Sequence, residues 1–198
     1  MTTEQTAQVA AIRDRFFVMA TSTEPADRPR AEAAARRMAE IEGVKVGRVV
    51  WVASPQDGGV AWREQWKSLR ASLWESLWKS LEASLEASLW EFLEASIWTS
   101  LGDSLWRSPP DSLRALLAIS VSASLRDSAW TAFYAAGSEV FGVEYAPDAA
   151  EKLALHVEIT SACFALWLVP GTVILCERPA TVEIVDGRLV GLTWREMA

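Results

Sequence analysis

Ser68 to Arg107 reads SLRA SLWE SLWK SLEA SLEA SLWE FLEA SIWT SLGD SLWR, a repeat with a period of four residues. Ser fills the first slot throughout except at Phe92, and Leu fills the second except at Ile97. The third slot alternates between Trp (74, 78, 90, 98 and 106) and charged or small residues. The phase persists past Pro109-Pro110, because Ser112-Leu113, Ser120-Val121 and Ser124-Leu125 fall in the same slots.

Two structures compete for this pattern. Local propensity favours a helix, since Leu, Glu, Ala and Lys abound and neither Gly nor Pro interrupts Ala61–Leu101. An α-helix, however, has 3.6 residues per turn, so a strict period of four turns the Leu stripe by about 40° per repeat and carries it off any single core. A forty-residue helix would also be about 60 Å long. A solenoid counts residues differently. One tetrad per side points every Leu inward, stacks Ser in ladders and leaves Trp outside, in roughly four coils about 4.8 Å apart. The expectation is therefore an α+β protein: a short β-solenoid of tetrapeptide repeats, capped by flanking helices and a C-terminal hairpin. The alternative is a mostly α fold with the repeat as one or two long helices. The organisation that follows is 1–61 as an N-terminal helical and strand cap, 62–128 as the repeat, and 129–198 as C-terminal helices and hairpin, together one structural unit.

The flanks carry ordinary signals. Residues 3–21 have helical spacing with Val9, Ile12, Phe16 and Met19 on one face. Asp27 is placed to cap a second helix, with Pro29 in its first turn and Gly43 at its end. Val46–Ala53 reads as a strand. Ala129–Val140 and Pro147–Cys163 read as helices, and Thr172–Glu177 as a strand. Thr181–Val185 and Arg188–Trp194 flank Asp186-Gly187, a strong hairpin signal.

Composition excludes several functions. The 198 residues are 51% hydrophobic and carry 19 basic against 26 acidic side chains, a net charge of −7. This argues against phosphate-based nucleic-acid binding and against docking on anionic lipid. No apolar run is long enough to span a bilayer, and Met1–Gln5 opens no signal peptide, so a cytoplasmic location is expected. Cys163, Cys176 and the lone His156 leave little material for a metal cage, and no cofactor motif is present. Gly58-Gly59 lacks the Lys-Ser/Thr of a phosphate loop and reads as an ordinary loop.

Glu24-Pro25-Ala26-Asp27-Arg28-Pro29, Val49–Pro55, the Ser-Leu-Trp tetrads, Phe133-Tyr134 and Cys176-Glu177-Arg178-Pro179 follow one another in a distinctive order. In this order the chain resembles a family of uncharacterised bacterial proteins, a domain of unknown function with Ser-Val-Trp-like tetrads between similar flanks. The resemblance covers nearly the whole chain and implies no activity. The chain departs from the family at Trp167-Leu168-Val169-Pro170, where relatives carry more tryptophans. It departs again at Val190-Gly191-Leu192, where they carry His and acidic residues.

Three functions follow. The leading one is a non-enzymatic interaction or scaffold module, presenting Trp74, Trp78, Trp90, Trp98 and Trp106 to an unknown protein partner or a second copy. Seven of the eleven tryptophans lie between Trp62 and Trp106, which is what draws attention to them. The alternative is a small enzyme with a site between the caps, near His156, Cys163, Glu177 and Arg178. The expected state of both thiols is buried and inert, and Glu177-Arg178 beside Asp186 is expected to pin the hairpin by an ion pair. The weakest is an acidic DNA-mimic inhibitor. The acids of residues 68–108 (Glu75, Glu82, Glu86, Glu91, Glu94, Asp103) exceed the bases (Arg70, Lys79, Arg107) by six to three, a thin excess for that role.

Overall fold

The computed structural model describes residues 2–55, 57, 77–82, 84, 85, 87–99, 120–169, 171–186 and 188–195. Helix α1 (Thr3–Ala20) starts with a capping box, in which the Thr2 hydroxyl accepts from the Gln5 amide and the Gln5 side chain accepts from the Thr2 amide. Its buried stripe is Val9, Ile12, Phe16 and Ala20. Helix α2 (Arg28–Ile41) is capped by Asp27, whose carboxylate accepts from the Arg30 amide, and it carries Pro in its first turn. Its buried face is Ala31, Ala34, Ala35, Met38 and Ala39, small side chains that let another helix come close. Gly43, at φ +67°, lets the chain turn out of α2.

Strand β1 (Val46–Val52) follows. Next among the described residues come a helical segment at 77–82, helix α3 (Ala87–Leu93) and a π-helical turn (Glu94–Thr99). Helices α4 (Ser120–Phe141) and α5 (Pro147–Ala162) lead into β2 (Ala165–Val169), β3 (Gly171–Cys176), β4 (Thr181–Val185) and β5 (Arg188–Thr193).

The first sheet has the order β1-β3-β2. Its centre, β3, is parallel to β1 (Trp51 opposite Leu175) and antiparallel to β2 (Trp167 opposite Ile174). Val173 and Leu175 face a cluster formed with α2 and α5, while Ile174 and Cys176 face the other way with Val52, Ala165 and Trp167. Burial on both faces explains why this strand reads as an unbroken apolar run. The second sheet is the β4–β5 hairpin, in which Asp186 takes φ +50° at the turn. The larger core joins α1, the tetrad helices, α4, α5 and Leu189 of β5.

The tetrads do not form a solenoid. Where they are described they are helical, and they pack into this core beside α1 and α4. The second-slot residues Leu77, Leu81, Leu93 and Ile97 are fully buried, and Leu85 packs against the same cluster. The stripe thus returns to the core on both sides of Leu89, which is half-buried and gives its place there to Trp90. An unbroken α-helix would slip by 0.4 residues per tetrad, but this chain is not one. It bends at Leu85 and widens at Glu94–Thr99. A π-turn closes i→i+5 and takes in one more residue than an α-turn, which cancels the slip of about two and a half tetrads. The first-slot serine contributes to the bend. The Ser84 hydroxyl donates to the Ser80 carbonyl at 2.7 Å, a bond to the i−4 carbonyl that loosens the ladder.

The mixed α+β class therefore stands, but the β-solenoid does not; the described tetrads are helical, with a bend at Leu85. The flanks do not cap stacked coils; they form the sheets and the helices against which the tetrads pack. Ser120-Val121 and Ser124-Leu125, in phase with the repeat, belong to α4. Pro109-Pro110, Gly58 and Gly59 lie outside the described residues.

Candidate functional site

The segment Glu24–Pro29, between α1 and α2, lies against the ends of α5 and β3. The Asp27 amide donates to the Ala162 carbonyl at 2.9 Å. One carboxylate oxygen of Glu177 accepts from the Ala26 amide at 2.7 Å, and the other accepts from Arg28 Nε and Nη2 at 3.2 and 3.0 Å. The Arg28 guanidinium also lies 4.9 Å from the centre of the Trp51 ring, whose Nε1 donates to Glu32 at 2.8 Å. The Glu177 amide donates to the Val52 carbonyl at 2.9 Å, extending the β1–β3 ladder by one rung. Three sequence-remote stretches, 24–29, 49–55 and 176–179, thus meet in one polar seam.

Arg178 turns inward from this seam and is 8% exposed. Its Nη2 donates to the Ser161 carbonyl near the end of α5. Its Nε has no acceptor among the described residues. Burial pulls its pKa below the ordinary guanidinium value, and the charges of Glu24 and Glu177 act in the opposite direction.

Beyond the C-terminal end of β1 is an open cleft of about 570 Å³, lined by Trp51, Val52, Ala53, Ser54, Asp57, Trp194 and Arg195. It lies between the N-terminal flank and the end of the C-terminal hairpin. Ser54 and Asp57 fix each other: the Ser54 amide and hydroxyl donate to one Asp57 oxygen at 3.0 and 2.7 Å, and the Asp57 amide donates to the Ser54 carbonyl at 3.1 Å. Arg195 Nη2 donates to the Thr23 carbonyl at 3.4 Å, tying the hairpin end to the N-terminal segment. Trp194 meets Phe164 edge-on at 5.8 Å.

The expected catalytic cluster is only partly assembled. Glu177, Arg178 and Cys163 share this region, whereas His156 sits half-buried on α5, about 10 Å along the helix from Cys163. Cys163 is buried, its thiol donates to the Ala165 carbonyl at 3.5 Å, and burial pushes its pKa up to about 12. Burial raises Cys176 as well, and its thiol donates to the Glu177 carbonyl at 3.4 Å. Both are free thiols and stay protonated at neutral pH, so neither supplies a nucleophile. Glu177 pairs with Arg28 and not with the hairpin, where Asp186 instead forms the turn. Among the described residues no group of three His, Cys, Asp or Glu side chains could hold a metal ion.

Of the five repeat tryptophans, Trp78 and Trp90 are described with their side chains, and they belong to an aromatic cluster. Trp78 meets Trp90 edge-on at 4.2 Å and Trp130 at 6.3 Å, while Trp90 meets Phe133 at 5.4 Å. Trp130 stacks on Tyr134 at 5.7 Å, and Tyr134 meets Tyr145 at 6.3 Å. Trp78 is 37% exposed and Trp90 is half-buried. Trp98 lies in the π-helical turn, and Trp74 and Trp106 lie outside the described residues. Sequence reasoning missed Trp130 and Phe133, whose signal was their i, i+3 spacing on a helix that continues out of the repeat. It also missed Trp51, Ser54, Asp57, Trp194 and Arg195.

No family model, no curated protein and no solved structure matches the chain. Among the described residues no helix is long and apolar enough to cross a membrane.

Proposed function

We propose that the chain binds a small molecule in the cleft between its N- and C-terminal flanks, and that the polar seam behind Trp51 holds that cleft in shape. The observation that carries this reading is the lining itself. Two indole-bearing residues, Trp51 and Trp194, are combined with a hydroxyl, a carboxylate and a guanidinium from Ser54, Asp57 and Arg195 in one concavity. Such a lining suits a ligand with a planar apolar part and a polar group. The stretches that carry the family resemblance, 24–29, 49–55 and 176–179, build this region, and membership of that family is part of the same proposal.

The enzyme reading put its site near His156, Cys163, Glu177 and Arg178, and none of these four lines the cleft. Any acid–base step in the cleft would fall to Asp57, the carboxylate among its lining residues. The interaction-module reading keeps one observation in its favour, the part-exposed Trp78 in contact with Trp90 and Trp130. Trp90 and Trp130, however, pack against Phe133 and the core.

A fragment and metabolite screen followed by indole N–H resonances in two-dimensional NMR tests the choice. Binders are expected to shift Trp51 and Trp194 and to lose affinity about tenfold in Trp194→Ala and Asp57→Asn. Binders that shift Trp78 and Trp90 and ignore both substitutions would overturn the cleft in favour of the aromatic cluster.

A further inference from the structure

The cleft beyond β1 holds two opposite charges in one wall, and neither is spent on the other. Asp57 is the carboxylate of the lining and Arg195 its guanidinium, and among the described residues no ion pair joins them. Each is anchored on one side and open on the other. Asp57 Oδ2 accepts from the Ser54 amide and hydroxyl, which leaves Oδ1 without a donor among the described residues. Arg195 Nη2 donates to the Thr23 carbonyl, while its Nε and Nη1 donate to no described residue. The aromatic part of the wall is held as well. The Arg28 guanidinium lies over the Trp51 ring and Glu32 takes its Nε1 hydrogen, and Trp194 rests edge-on against Phe164.

On the basis of the cleft reading above, we propose that the ligand is an aromatic zwitterion of the amino-acid class. Its ring lies against Trp51 and Trp194, its ammonium group on Asp57 Oδ1 and its carboxylate on Arg195. Charge decides the class. A nucleotide or other phosphate ester brings two or more negative charges to a wall with one cation, and it faces Asp57 besides. A simple aromatic acid leaves Asp57 unmatched and close to a like charge, and a simple aromatic amine does the same to Arg195. A neutral aromatic molecule engages neither charge fully. A zwitterion matches both.

The test titrates the full chain with L-phenylalanine, phenethylamine, 3-phenylpropionate and 3-phenylpropanol, following the indole N–H resonances of Trp51 and Trp194. The four probes share a benzene ring on a short chain and differ in charge. L-Phenylalanine should bind about tenfold more tightly than each of the other three. Asp57→Asn should erase its advantage over 3-phenylpropionate and keep that over phenethylamine, and Arg195→Gln should do the reverse. Shifts at both indoles with equal midpoints for all four probes, or an advantage that survives both substitutions, would overturn the zwitterion and leave the cleft standing. No shift at either indole with any probe would overturn the zwitterion too, and the wider screen then decides the cleft separately.

Discussion

Arg28 and Glu177 are 149 residues apart in the chain, and two guanidinium nitrogens of the first reach one carboxylate oxygen of the second at 3.0 and 3.2 Å. The same carboxylate takes the Ala26 amide through its other oxygen at 2.7 Å, so a single side chain fixes the entry to α2 against the end of β3. Glu177→Ala should lower stability by about 2 kcal/mol, since it strips a backbone donor and a guanidinium of a shared acceptor. Glu177→Gln should cost less, because its amide oxygen can still accept from Ala26. Arg28 is about half exposed, so a double-mutant cycle between Arg28→Ala and Glu177→Ala should give a coupling of about 1 kcal/mol or less. Urea denaturation of the wild type, the three single variants and the double variant measures all three values.

Gly137 marks where the tetrad helix presses on α4. A Cβ built there would meet the Leu81 side chain and would come within 2.6 Å of the Tyr145 hydroxyl. That hydroxyl donates to the Tyr134 carbonyl at 2.9 Å, so it is not free to move aside. Gly137→Ala should therefore destabilise by about 1–3 kcal/mol, although Ala is the better helix former. Urea unfolding of Gly137→Ala alone and with Leu81→Ala measures it; a stabilised Gly137→Ala protein would contradict the packing described here.

The π-helical turn should matter through Ile97, which it keeps fully buried. Removing the exposed Ala95 shortens the turn by the extra residue and rotates Ile97 away from the core. The expected loss is about 2–4 kcal/mol, comparable with truncating a buried aliphatic side chain. Ala95→Ser, which keeps the residue count, should change stability by less than about 0.5 kcal/mol. Denaturant midpoints of the two variants separate a spacing effect from a composition effect.

Cys163 and Cys176 should be silent to thiol reagents in the native protein at pH 8 and react fully in denaturant. Their folded pKa values lie above the ordinary thiol value, with Cys163 at about 12, so the native state retains protons that the unfolded state releases. Stability should be unaffected by these groups below about pH 9 and should fall as pH rises from there toward 12. Burial raises Tyr134 and Tyr145 in the same direction, and they add to the upper part of that decline. Replacing both cysteines with Ala should make the alkaline limb shallower in pH-dependent urea unfolding.

Much of the periphery was legible in the sequence because local rules decide it. Asp27 and Pro29 mark the start of α2, Gly43 and Gly142 take the positive φ that ends their helices, and Asp186 takes the positive φ of the hairpin turn. Strand β2 was missed. Ala165–Val169 is a five-residue apolar run, and nothing in its own chemistry distinguishes a strand from the continuation of α5 until β3 is there to pair with it. The repeat misled for a different reason. A period of four is incompatible with an unbroken α-helix, and only a non-local fact, Leu81 packed against Gly137 and Ile97 held in the same core, shows that the helix is broken so as to keep it. The site was half legible. Glu177 and Arg178 were singled out, but their partners Ala26 and Ser161 offer backbone atoms, which carry no side-chain signature.

The broken tetrad helix has a consequence for how such a chain can change in length. Among the described residues the bend at Leu85 and the wide turn at Glu94–Thr99 take up the slip, so gaining or losing one whole Ser-Leu-x-x block advances the polypeptide by about 6 Å and turns the residues downstream by only about 40°. A change of one, two or three residues has no such immunity. Slippage of twelve nucleotides in the coding strand would then be a mild event, and any other small slippage a damaging one.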